Sequence, residues 1–212
     1  MAATEAVSGM AAACLLTKWY SFQLESTLEA AGFEDCMDEL RFVNEMAPTD
    51  EVAAHSFGLV DRYWAAQHVS VWRQCAVGTR PTLIFQDDVT FNSSTVHATT
   101  DALVAAANAA GYGVDSASAT ILVLDAAAAG ESGATQPLAT APNGAALMPA
   151  ESTTQVSAYV LWPAAAKALL ASLPIDAPVS AFLGKKIAER ELVAFSCSPP
   201  LTAPAPKSQQ AA

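Results

Sequence analysis

The chain alternates short apolar runs with longer stretches in which apolar residues recur every three or four positions. The runs "PTLIFQ" (81–86), "SATILVLD" (118–125), "QVSAYVLW" (155–162) and "LVAFSCSPPL" (192–201) are too short and too apolar for anything but buried strands. Between them lie helical patterns. "LVDRYWAAQHVSVWRQCAVG" (59–78) carries two adjacent stripes, Tyr63, Gln67, Val71 and Cys75, then Trp64, His68, Trp72 and Ala76. "TTDALVAAANAAGYG" (99–113) predicts a helix capped near Thr99 or Thr100 and stopped by Gly111, and "PAAAKALLASL" (163–173) a helix opened by Pro163. "PIDAPVSAFLGKKIAERE" (174–191) predicts a loop and a short helix. Near the N-terminus, Leu16, Tyr20, Leu24 and Leu28 have helical spacing, which predicts a helix from about Leu15 to Ala31 ended by Gly32. "TDEVAAHSFGLV" predicts a short helix after Thr49 or Asp50.

Strands alternating with helices indicate an α/β domain with a mostly parallel sheet flanked by helices. The polar and small-residue stretches set its limits. Residues 1–12 read as a disordered start, 13–201 as one domain with a low-complexity loop at 126–154, and 202–212 as a disordered tail.

Composition narrows the function classes. The formal net charge of −11 argues against nucleic acid and against anionic membrane surfaces, both of which need Lys and Arg. The segment "MAAACLLTKWY" lacks a basic flank and follows Glu5, so it reads as helix, not signal peptide, and a cytoplasmic or otherwise intracellular location is expected. None of Cys14, Cys36, Cys75 and Cys197 stands in a C-x-x-C pair; buried free thiols are favoured over disulfides, and a structural zinc site is not expected.

The chemistry concentrates in "LIFQDDVTF" (83–91), an apolar strand that runs into two adjacent acids, Asp87 and Asp88. Like charges at a strand end need water, backbone N–H groups or a cation to offset their repulsion. Either they cap a turn in water, or they bind a divalent cation holding a diphosphate. His68 and Trp72 sit four apart on one helix face and touch: a packed pair under the sheet, or part of a donor pocket. Tyr63, Trp64 and Trp162 are read as core, and Lys185, Lys186 and Arg190 as a solvated basic face.

An ordered series accompanies the acids: His68 with Trp72, then "LIFQDDV", then "AYVLWPAAAKALL", then Pro174, Ile175, Asp176, Pro178 and Val179, then "SPPL". In this order and spacing, residues 60–201 resemble glycosyltransferase family 25, the group that includes lipopolysaccharide and collagen galactosyltransferases. The resemblance implies a GT-A-like, Rossmann-type fold. It further implies a UDP-sugar donor, often UDP-galactose, a glycan or protein hydroxyl acceptor, and Mn²⁺ or Mg²⁺. Carried onto this chain, Asp87 and Asp88 would hold the metal. Gln86, Asp87, Asp88, His68 and Trp72 would line the donor site, and Asp88 and Asp176 are the candidate catalytic carboxylates. Three features depart from the family pattern. Gln86 replaces an acid, Ser180 and Ala181 stand where an acid follows the Pro-Val pair, and the usual first strand is not legible. These departures spare the scaffold and touch the site, which leaves a catalytically inactive binding or assembly protein as the alternative.

Overall fold

The computed structural model describes residues 10–15, 22–33, 41–43, 52, 58–87, 89–114, 116–125, 136–153 and 156–204. Its strands are β1 (Ala11–Leu15), β2 (Arg41–Val43), β3 (Thr82–Gln86), β4 (Val89–Phe91), β5 (Thr120–Val123), β6 (Ala139–Thr140), β7 (Ala146–Ala150), β8 (Ala158–Leu161), β9 (Val193–Ser198) and β10 (Thr202–Pro204). The helices are α1 (Phe22–Ala30), α2 (Leu59–Val77), α3 (Val96–Ala107), α4 (Pro163–Ala171) and α5 (Val179–Ala188).

The fold is α/β. Eight strands form one sheet in the order β2-β1-β3-β8-β5-β9-β7-β6, while β4 and β10 make a separate antiparallel pair. In the large sheet β1, β2, β3, β5, β6 and β9 run one way, and β7 and β8 run the other. Strand β8 lies antiparallel between β3 and β5. Strand β7 ends at Ala150 opposite Ala194, near the start of β9, whereas β8 starts beside Asp125 at the carboxyl edge of β5, so β8 runs the same way as β7 and against β3 and β5.

Period-two alternation divides the strand side chains between two cores. Ile84, Ile121, Val123, Tyr159 and Leu161 face α2, α4 and α5. Leu83, Phe85, Leu122, Leu124, Ala158 and Val160 face the opposite layer with Leu28, Phe33, Leu103 and Trp162. Both faces are covered, which explains why these strands read as unbroken apolar runs. The two stripes of α2 meet the first core, where Gln67, His68, Val71, Trp72, Cys75 and Ala76 are all buried.

The structure corrects several sequence expectations. The segment at Ala11–Leu15, expected as a disordered start passing into a helix, is a strand paired in parallel with β2 and β3. The alanine-rich run has no period of its own, and strand pairing decides its state. The helix that follows is shorter than expected, Phe22–Ala30, and Gly32 does follow its end, with φ 86°. Helix α3 begins at Val96, ahead of the expected Thr99 or Thr100 cap.

Within 126–154, residues 139–150 form a β6–β7 hairpin that extends the sheet beyond β9. Its turn carries Asn143-Gly144, with Gly144 at φ 88°, a hairpin signal that the surrounding small residues masked. The tail expected after Leu201 begins as β10, held against β4. The helix expected after Asp50 lies outside the described residues, apart from Val52, which bridges to Ile175. Cys75 and Cys197 are free and buried, and burial pushes both thiols up to about 11.

Candidate functional site

The acidic stretch falls where the sheet changes direction. Strand β3 has parallel β1 on one side and antiparallel β8 on the other, and it ends at Gln86. Asp87 follows in the turn to β4, half-buried. Asp88 lies outside the described residues. Crevices that take ligands form beyond the carboxyl ends of strands where the strand order reverses, because the connections diverge there, and here the chain passes from β1 outward to β2 and from β3 across to β5 on the other side.

The walls of this edge come from one short segment, residues 156–158, at the entry to β8. The Gln86 backbone N–H donates to the Ser157 carbonyl at 2.9 Å. The Val156 N–H donates to Ser180 Oγ at 3.1 Å, which ties the segment to the first turn of α5. Gln86 and Ser180 therefore meet around the same three residues. The Ser180 hydroxyl holds backbone there, a task that needs no charge.

Asp125, two residues past the end of β5, anchors the same segment. It is 2% exposed, and four donors converge on its carboxylate. Oδ2 accepts from the Ser157 and Ala158 N–H groups, the latter at 3.1 Å. Oδ1 accepts from Ser157 Oγ at 3.0 Å and from Thr202 Oγ1 at 2.7 Å. Asp125 was read in the sequence only as a strand terminus, and Ser157 and Thr202 were not singled out. The signal available was the repetition of a pattern: "TILVLD" ends in an acid just as "LIFQDD" does.

His68 and Trp72 sit elsewhere. Both are 0% exposed, under the sheet on the α2 side. Tyr159, opposite Ile84 in the β3–β8 register, joins them. Its hydroxyl lies 2.7 Å from His68 Nδ1 and accepts from Trp72 Nε1 at 2.9 Å. The imidazole stacks on the phenol ring at 5.7 Å between centroids, and Trp72 stacks on Phe182. Burial pushes His68 down to about 3 and pushes the Tyr159 phenol up, so both are neutral at ordinary pH. His68 Nε2 has no hydrogen-bond partner among the described residues, so a second ring proton would find no acceptor. In this setting the His68–Trp72 pair is part of the packed core.

Of the remaining candidates, Asp176 is exposed in the connection that leads into α5. Trp162 is buried on the far face, where Nε1 donates to Asn108 Oδ1 at 3.0 Å. Lys186 pairs with Glu189 and Glu191. Among the described residues at the β3 end, Asp87 and Gln86 are the side chains whose oxygens a divalent cation could use. Among the described residues no group of three His, Cys, Asp or Glu could hold a metal, so these donors do not by themselves make a metal centre. Among the described residues no helix is long and apolar enough to cross a membrane.

No family model and no curated protein matches the chain. Among solved structures it is similar to the UDP-glucose pyrophosphorylase from Acinetobacter baumanii, with a TM-score of 0.38 and 15% sequence identity over 86% of this chain. The chain spans 64% of that protein's length, and a match this loose carries neither a fold family nor an activity across.

Proposed function

We propose that the chain binds a nucleotide sugar at the carboxyl edge of its sheet and transfers a hexose, galactose by the family 25 resemblance, from a UDP-sugar to a glycan or protein hydroxyl. One observation carries this reading: the turn after Gln86 follows the carboxyl end of β3, and the strand order reverses between β1 and β3, the position in an α/β sheet where ligand crevices form.

Glycosyl transfer asks two things of such an edge. A leaving diphosphate gathers negative charge, and the acceptor hydroxyl must lose its proton to a carboxylate, which contributes roughly 10²–10⁴ in rate. Asp88 is proposed as the principal site carboxylate with Asp87 beside it, and Asp176 as the alternative base. Mn²⁺ or Mg²⁺, which the resemblance implies, would need Asp88 to complete the donor set. No step here is routed through the cation.

Release of UDP from UDP-galactose and UDP-glucose, with Mn²⁺ and with chelator, tests the proposal in wild type, Asp88→Ala and Asp176→Ala. Turnover lost in Asp88→Ala supports it, and equal rates in wild type and Asp88→Ala overturn it. A second reading, a binding or assembly protein without turnover, is favoured by Gln86 in place of an acid and by the Ser180 hydroxyl bound to backbone. It predicts no rise in melting temperature with UDP or Mn²⁺, since a ligand that binds only the native state must stabilise it, and a clear shift with UDP plus Mn²⁺ would count against it.

A further inference from the structure

We propose that Asp125 is the positioning residue of the β3–β4 turn, the turn on which Asp87 stands. It never touches that turn and acts through two arms. The first holds the approach to the turn: the Ser157 N–H and Oγ and the Ala158 N–H are fixed on the Asp125 carboxylate, and the Ser157 carbonyl receives the Gln86 N–H, the last amide of β3. The second holds the exit: Thr202 Oγ1 is fixed on the other carboxylate oxygen, and Thr202 opens β10, which pairs with β4 in the register Thr202↔Phe91, Ala203↔Thr90 and Pro204↔Val89. The Thr90 hydroxyl adds a bond to the Ala203 carbonyl at 2.9 Å. The last residue of β3 and, through Thr202 opposite Phe91, the far end of β4 are thus both referred to one buried side chain two residues past the end of β5.

The chemistry of the knot explains why an acid occupies this place. Four donors and no acceptor face it, and only a carboxylate offers acceptor sites in both directions without a hydrogen of its own. An asparagine of the same shape would turn its NH₂ toward either the two backbone N–H groups or the two hydroxyls. Backbone amides cannot rotate away, so one arm would open. Backbone bonds share the exit arm: the Leu201 and Thr202 N–H groups donate to the Leu124 carbonyl at 3.0 and 3.2 Å, and the Asn92 N–H donates to the Leu201 carbonyl at 2.9 Å, so the Asp125 carboxylate adds side-chain bonds to a bridge already joining residues 125 and 202.

The inference rests on the proposed function only for what the turn binds; the positioning itself is testable without any ligand. Amide hydrogen exchange is measured on the full chain for wild type, Asp125→Asn, Thr202→Val and Ser157→Ala. For Asp125→Asn the expected result is exchange about tenfold faster in residues 86–91 and 202–204, the factor that follows from losing one or two net hydrogen bonds, with protection in α2 and α4 unchanged. Thr202→Val should loosen 89–91 and 202–204 and spare Gln86. A residue that merely stabilises the domain would instead raise exchange throughout the sheet. Wild-type protection at 86–91 in a folded Asp125→Asn, or loss spread evenly over α2 and α4, overturns the proposal. Should Asp125→Asn not fold, Thr202→Val decides, and unchanged exchange in β4 and β10 overturns it. A parallel titration with UDP separates the two claims. Wild type that fails to bind UDP sinks the proposed function and leaves the exchange result standing. Binding in wild type that weakens about tenfold in Thr202→Val, at unchanged α2 protection, ties the turn's position to its ligand.

Discussion

The two polar clusters of this molecule, one under the sheet and one at its carboxyl edge, are built on opposite plans. Under the sheet, His68, Trp72 and Tyr159 bond one another side chain to side chain through the Tyr159 hydroxyl, every member neutral and fully buried. At the edge, Asp125 and Ser180 bind backbone N–H groups, and the order they impose falls on loop and strand termini. A neutral cluster closed on itself stabilises a layer but holds nothing out to solvent. A carboxylate that fixes backbone places its neighbours. The difference assigns architecture to the first cluster and, to the second, the shaping of the edge where Asp87 lies.

The sharpest way to break this contrast is to remove the largest member of the buried cluster. Trp72→Ala leaves a cavity against Phe182 and strips the Tyr159 hydroxyl of a donor, and should cost about 3–5 kcal/mol in urea unfolding. A loss below about 1 kcal/mol would show that Trp72 is not core. Tyr159→Phe keeps the ring and deletes only the hydroxyl, which leaves the His68 and Trp72 nitrogens without their shared partner. Roughly 1–3 kcal/mol should be lost by the same measurement.

Acid titration separates the clusters by charge. The ordinary histidine value is 6.5 and burial holds His68 at about 3, so as pH falls the unfolded chain takes up the proton first. The contribution of neutral His68 is therefore intact above about pH 6.5 and declines toward pH 3, at up to roughly 1.4 kcal/mol per pH unit. Unfolding free energies of wild type and His68→Gln across this window should differ in slope, with the variant flatter. Parallel curves would mean that His68 is not desolvated.

A smaller effect probes the edge. A Cβ on Gly184 would stand 2.5 Å from the Thr153 carbonyl oxygen, so α5 and the segment leading to β8 approach as closely as glycine allows. Gly184→Ala should cost about 1–3 kcal/mol and loosen the Val156–Ser180 bond. Faster exchange of the Val156 amide, with α2 unaffected, is the expected signature.

Much of the scaffold could be read from the chain. Strands β3, β5, β8 and β9 and helices α2 and α4 announce themselves because burial on both faces writes unbroken apolar runs, and helix packing writes stripes. Strand β1 could not be read, since "AAACL" carries no period and its state comes from pairing with β3, some seventy residues downstream. The hairpin at 139–150 was hidden by its small residues, although Asn143-Gly144 marked its turn. The carboxyl edge of the sheet was half legible. Two acids after an apolar strand gave the edge, but the residue that organises it, Asp125, looked like any acid ending a strand. Its four donors come from sequence positions 32 to 77 residues away, and no local pattern encodes that convergence. His68 and Trp72 illustrate the opposite case: helical spacing gave their proximity, but a donor pocket and a core are written with the same stripe.

The central claim, that the acidic turn after β3 is the place where a nucleotide sugar binds, is tested most directly by calorimetric titration of UDP-galactose, with Mn²⁺, into wild type and into the Asp87→Asn, Asp88→Asn double variant. The account predicts saturable binding to wild type, at least about tenfold weaker in the double variant, with the unfolding midpoints of the two proteins alike. Equal affinity in both proteins, or no binding to wild type, would contradict it.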